Sequence, residues 1–252
     1  MKRFGRILAS AAIVGGLVLS SASAPAVAVA DAGVASVDVA AATAPAFAKG
    51  FNKKAKSITD PASYWVVVNK LTPLKPKKWV PKDLVTVPVD HVYAPKMRSM
   101  ASKAVVSMFK AYNKSTGKKM QAQSAYRSYT SQVSVYNGWV NKLGKKKADL
   151  TSARPGFSEH QTGNAIDISA KPAKCSLQAC FASTSQGKWL AKYAWKYGFV
   201  LRYPKGMTST TGYEYEPWHY RYVGKQLAKE MHDTKTKTLE QFFGLPKAPT
   251  YK

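Results

Sequence analysis

Two histidines and two carboxylates lie in two short segments of this chain. His160 and Asp167 belong to FSEHQTGNAIDIS (157–169), and Glu216 and His219 to YEPWHYRYVG (215–224). Two imidazoles and one carboxylate suit Zn²⁺ with a fourth position left to water, which is a catalytic rather than a structural arrangement. Water bound in that way becomes markedly more acidic, and a neighbouring carboxylate can take its proton. His160, Asp167 and His219 are therefore the candidate ligands, and Glu216 is the candidate base. The chain has 13 acidic residues, and Glu159, Asp167 and Glu216 fall inside these segments, with Glu214 just before the second. Glu159 and Glu214 are read as structural or exposed and given no chemistry. Taken singly, either ligand histidine would be read as a packed side chain with one hydrogen bond, and Asp167 as a turn or cap residue. The set, not any member, points to a metal.

The elements around these residues must bring them together. Gly163-Asn164 can make a turn, and the AIDIS that follows alternates. In a strand, Ile166 and Ile168 face one side, while Ala165, Asp167 and Ser169 face the other. His160, just before the turn, can return over the Asp167 face. His219 is expected on a strand beginning near Trp218. Pro217 breaks the pleat, so Glu216 and His219 can reach one cleft. Elsewhere the pattern predicts strands over 64–70 (YWVVVNK), 119–125 and 199–204, and helices over about 96–114, 130–143, 186–197 and 225–232. KGMTSTTG (205–212) reads as a turn. There is no internal repeat and no regular βαβ rhythm, so the fold class is α+β, with a small mixed or antiparallel sheet flanked by helices.

A chain of 252 residues, 45% hydrophobic, can bury one sizeable core. Residues 1–30 read as a secretory signal peptide: Lys2, Arg3 and Arg6, then the apolar run ILASAAIVGGLVL, then small residues with cleavage expected between Ala24 and Ala30. The run is too short to span a membrane comfortably, so no transmembrane span is expected in the mature form. Residues 31–59 read as an Ala/Val-rich linker or tail, and 60–252 as the folded domain. The formal charge of +26 becomes +23 without those three basic residues. Such a charge attracts polyanions, and for an exported chain the anionic polymers of a cell wall fit. A nucleic-acid partner would leave the His/Asp/His/Glu set unexplained, and none is expected. Cys175 and Cys180, the only cysteines, are expected to form a disulfide outside the cell. As zinc ligands the pair would be half a structural site.

SEHQTGNAID resembles the S-x-H-x-x-G-x-A-x-D signature of the zinc D-alanyl-D-alanine carboxypeptidases, through Ser158, His160, Gly163, Ala165 and Asp167. EPWHYRYVG resembles their E-x-W-H signature. AYRSYTSQ (125–132) resembles a G-Y-R-S-Y motif with Ala125 in place of glycine, and VVVNKLTPL, ARPG and GFVLRYP also look like the VanY-type branch. The resemblance covers roughly Tyr64 to Gly224. It implies the Hedgehog/DD-peptidase-like zinc peptidase fold, with zinc on His160, Asp167 and His219 and Glu216 as base. Arg127 would stabilise substrate oxygens, and Gln132, Ser158 and Tyr203 would contact the peptide. The implied activity is removal of the terminal D-Ala from peptidoglycan stem peptides, in the cell wall or outside the cell. An L,D-carboxypeptidase acting on tetrapeptide stems shares the motifs. So would a more distant endopeptidase, or a wall-binding module that keeps the fold without the chemistry.

Overall fold

Ile166 and Ile168 are fully buried on one face of their strand, and burying each such side chain stabilises by about 1.5–3 kcal/mol. That fixes the register of the sheet, because a slip of one residue would drive Asp167 into the apolar side. The computed structural model describes residues 50–252. The expected signal peptide and most of the expected linker lie outside the described residues.

In chain order the elements are β1 (Leu84–Thr86), β2 (Lys96–Arg98), α1 (Ser99–Thr116), β3 (Lys119–Ser124), α2 (Tyr129–Leu143), α3 (Lys145–Thr151), β4 (Ala165–Lys171), α4 (Ser185–Tyr193), β5 (Phe199–Leu201), α5 (Thr208–Thr211), β6 (His219–Tyr222), α6 (Lys225–Asp233) and α7 (Leu239–Phe243). β1 and β2 form a hairpin-like pair. The central sheet has the order β3-β4-β6-β5 and is antiparallel throughout. The expected α+β class with a small antiparallel sheet is what forms.

One face of the sheet carries the core. Ala101, Val105, Met108 and Tyr112 recur along α1 at spacings of three and four and pack with Met120, Ala122, Ile166, Ile168 and Tyr220. The methionines of this helix are core. A second cluster joins Trp65 and Val67 to α6 and α7 through Leu227, Met231, Leu239 and Phe242. Phe51 stacks on Trp65 at 6.0 Å and Ile58 joins the same cluster, so packing begins before the expected boundary at Asp60.

Three local expectations are corrected. YWVVVNK forms no strand. Val66 to Val68 are buried, but their neighbours' backbone groups find other partners. Arg221 Nη2 donates to the carbonyls of Tyr64 (3.2 Å) and Val66 (2.8 Å), and Val67 N–H donates to Ile58 (2.9 Å). The helix after Thr184 gives way at Ala194 to a 3₁₀ turn, closed by Gly198 in the left-handed region. KGMTSTTG contains the short helix α5 instead of a plain turn.

Gly163 ends the 3₁₀ turn Glu159–Thr162 with φ +69°. An added Cβ would lie 2.9 Å from Arg98 Cγ and 3.1 Å from Leu84 Cδ2. The left-handed backbone alone costs a non-glycine residue about 1–2 kcal/mol. Gly163→Ala is therefore expected to lower the melting temperature by about 2–8 °C. An unchanged thermal transition would show that the turn tolerates a side chain.

Candidate active site

On the sheet face opposite α1, three strands contribute one row of side chains. Ser124 pairs with Asp167, and Asp167 pairs with His219, across β3, β4 and β6. The register shift between Ala122 and Ser124 brings Ser124 into that row. His160 reaches it from the 3₁₀ turn, whose carbonyl at His160 accepts a bond from Arg127 N–H (3.2 Å). His160 does return over the Asp167 face, as the alternation of β4 required.

His219 is the first residue of β6, and Glu216-Pro217-Trp218-His219 is a turn closed by His219 N–H on the Glu216 carbonyl (3.1 Å). The strand expected to begin near Trp218 starts at the next residue. A turn, not a broken pleat, is what puts both side chains in one cleft.

Ligating atoms of His160, Asp167 and His219 lie within 4.8 Å of one another. His160 Nε2 is 3.2 Å from Asp167 Oδ2, and His219 Nδ1 is 3.0 Å from Asp167 Oδ1. His160 Nδ1 donates to the Ala125 carbonyl at 2.7 Å, leaving Nε2 with a lone pair toward the row. Glu216 Oε2 stands 3.7 Å from His219 Nδ1. Two imidazoles and a carboxylate, closely spaced and buried, fit a zinc ion.

The electrostatics follow from burial and from this crowding. Burial pushes the Glu216 carboxyl up to about 8. Burial would also raise Asp167, but His160 and His219 outweigh it and hold the carboxyl well below its ordinary range. Burial lowers His160. It opposes charge on His219 too, yet Asp167 and Glu159 raise that imidazole to about 9. A dication in the site would displace any such protons, since ligands bind as neutral imidazole and carboxylate.

Arg127 lies along the same wall. Its Nη2 donates to Ser124 Oγ (3.0 Å) and its Nη1 to Gln132 Oε1 (2.9 Å). Gln132 is fully buried, and its amide nitrogen donates to the Ala153 carbonyl (2.7 Å). It braces Arg127 from behind and does not line the cleft, contrary to the substrate contact expected of it. Ala125 takes no left-handed backbone among the described residues, so its methyl costs no strain there.

The cleft has a volume of about 500 Å³. Besides the metal set and Glu216, its walls include Arg127, Ser158 and Tyr203, and the Tyr203 ring lies 4.9 Å from that of His219. Cys175 and Cys180 are bonded, and the loop they close brings Leu177, Gln178 and Ala179 to the rim.

Glu159, read as structural or exposed, is structural: it is buried where the 3₁₀ turn begins, and its partners are what the sequence reading missed. Its Oε1 accepts from Arg202 Nε (2.8 Å) and Arg221 Nη1 (2.9 Å). Burial alone would raise this carboxyl, and the two guanidiniums instead hold it well below the ordinary carboxylate range. The available signal was an arginine inside each of two apolar strand segments, FVLRYP and HYRYV, which demands a buried counter-charge. Glu214 is exposed, as expected.

Residues 94–225 match a family model described as VanY, D-alanyl-D-alanine carboxypeptidase. The putative carboxypeptidase YodJ of Bacillus subtilis (strain 168) is 42% identical over 193 residues, covering 75% of this chain and 70% of that protein. Among solved structures, the LD-carboxypeptidase LdcB aligns with a TM-score of 0.67 at 41% identity, over 74% of this chain and 88% of that one. A mutant of the vancomycin-resistance D,D-pentapeptidase VanY in complex with Zn(II) aligns with a TM-score of 0.59 at 27% identity, over 70% and 97%. Matching of the family model across more than half the chain, together with a relative this similar over most of its length, leads to one conclusion: the chain belongs to the VanY family of D-alanyl-D-alanine carboxypeptidases.

Proposed function

We propose that this protein is an exported, zinc-dependent carboxypeptidase that removes the C-terminal D-alanine of peptidoglycan stem peptides. The observation that carries the reading is the convergence of His160, Asp167 and His219 within 4.8 Å, with the carboxylate of Glu216 beside them. A zinc-bound relative of the same family supports the choice of metal. His160 Nε2, an Asp167 oxygen and His219 Nδ1 would hold the ion. When bound, zinc acidifies a water and polarises the scissile carbonyl.

The chain's own residues supply the rest. Glu216 takes the proton of the attacking water and passes it to the amine of the departing D-alanine. Its buried setting raises its affinity for a proton above that of a solvated carboxylate. Arg127, held rigid by Ser124 and Gln132, offsets the negative charge that grows on the carbonyl oxygen. Tyr203, Ser158 and the rim loop closed by Cys175–Cys180 shape the space for the peptide.

The family model favours the D,D bond. A second reading, cleavage of the L,D bond of tetrapeptide stems, is favoured by the higher identity to LdcB, 41% against 27% for the D,D-pentapeptidase. Mass spectrometry of products from synthetic stems decides. Loss of D-alanine from the pentapeptide alone supports D,D, loss from the tetrapeptide alone supports L,D, and loss from neither overturns the activity.

No described helix is long and apolar enough to cross a membrane. Protein recovered from culture medium should begin between Pro25 and Asp31. An intact Met1 there would overturn the export reading. With that export, the +23 charge suits residence among anionic wall polymers.

A further inference from the structure

Glu159 takes no part in the chemistry above, yet it faces the metal set from behind. Its Oε1 is shared by Arg202 and Arg221, while its Oε2 has no hydrogen-bond partner. That oxygen lies 3.5 Å from His219 Nε2, which also lacks one. Orphaned donors and acceptors are costly in a protein interior, and here the two orphans face each other. The other nitrogen of the ring, Nδ1, points to Asp167 and Glu216. An imidazole that offers a lone pair at Nδ1 must carry its proton at Nε2. A carboxylate whose remaining oxygen can only accept is the group that suits an Nε2 proton.

We propose that Glu159 is a positioning residue for His219: it accepts the Nε2 proton, and so turns the Nδ1 lone pair to the metal site. Arg202 and Arg221 anchor it from the far side, and Arg202 is itself clamped by Glu240 at 2.7 and 2.9 Å. The inference rests on the zinc reading above, and it assigns to this glutamate a function that its place beside His160 does not disclose. An amide could not replace the carboxylate. Its oxygen would turn to the guanidiniums and its NH₂ to His219 Nε2, so a donor would face a donor. The ring would then be driven to carry its proton on Nδ1, where a metal ligand cannot have one.

The test is zinc affinity, measured on the whole mature chain by competition with a chromophoric chelator. Glu159→Gln is expected to weaken binding by about 10–100-fold, the usual loss when the partner of a ligating histidine is removed. Glu240→Gln disturbs the same buried arginine without touching His219, and should keep wild-type affinity. Wild-type affinity in Glu159→Gln, or an equal loss in both variants, would overturn the assignment. Should Glu159→Gln fail to fold, histidine ¹⁵N–¹H correlation spectra of the zinc-loaded wild type answer the same question. They are expected to place the His219 proton on Nε2 and the His160 proton on Nδ1, and a His219 proton on Nδ1 would overturn the proposal. Wild-type protein that binds no zinc would sink this inference and the metal reading together. Protein that binds zinc but cleaves no stem peptide would sink the activity alone and leave the role of Glu159 standing.

Discussion

The Glu216→Gln protein is expected to hydrolyse stem peptides about 10²–10⁴-fold more slowly than the native chain, while holding the same amount of zinc. The amide matches the carboxylate in size but cannot accept the proton of water. Glu216 is outside the proposed three-residue ligand set, so metal binding is not expected to depend on it. The turn that presents it is held by main-chain bonds, Glu216 N–H on the Tyr203 carbonyl and His219 N–H on the Glu216 carbonyl, both 3.1 Å. The substitution leaves these in place, and the melting temperature should barely move. Steady-state kinetics and metal content, measured on one preparation, check both halves. A variant turning over at the native rate would remove Glu216 as the base. A native chain that holds zinc but cleaves nothing would make a wall-binding module the better account.

His219→Ala is expected to act at an earlier step, losing the metal and with it the activity. One of three ligands disappears, and two lone ligands seldom retain a catalytic ion against a chelator. With metal and imidazole both gone, the buried Asp167 oxygen that lies 3.0 Å from His219 Nδ1 has no partner. An unpartnered buried acceptor costs about 1–3 kcal/mol, so this variant should melt lower, unlike Glu216→Gln. Metal analysis after dialysis measures the loss. Chelation of the native protein should abolish hydrolysis and added zinc should restore it. Full activity in protein shown to be metal-free would rule out the mechanism.

The site was readable from sequence where its logic is local. His160, Gly163 and Asp167 fall within eight residues, and the alternation of AIDIS tells which face Asp167 takes. Glu216 and His219 are three apart, although the turn joining them looks like a strand because tyrosines and a tryptophan surround it. YWVVVNK misled for a related reason. β-branched and aromatic residues announce burial, but burial does not require a ladder. The strand that never forms is replaced by Arg221 donating to the Tyr64 and Val66 carbonyls, a contact between positions far apart in the chain. Gln132 looked like a substrate contact because motif position says nothing of direction, and its amide is turned toward Ala153 and Arg127. The ion pairs of Glu159 were not legible because its partners are distant in the chain, Arg202 just after β5 and Arg221 in β6. Only the sheet order β3-β4-β6-β5 brings them beneath it.

The buried charges have a consequence for how the molecule opens. Asn69 donates to Glu240, Glu240 clamps Arg202, Arg202 and Arg221 share Glu159, and Arg221 holds the carbonyls of Tyr64 and Val66. The chain segments around residues 66, 159, 202, 221 and 240 are thus tied at one point. None can detach without stranding a charge in the interior. Segments that in other proteins would fray independently are here bound into one cooperative unit. The main-chain amides of β6 and of α7 should therefore exchange with deuterium at a common slow rate, set by global unfolding. The proposed metal site would share that protection, because His219 is part of β6.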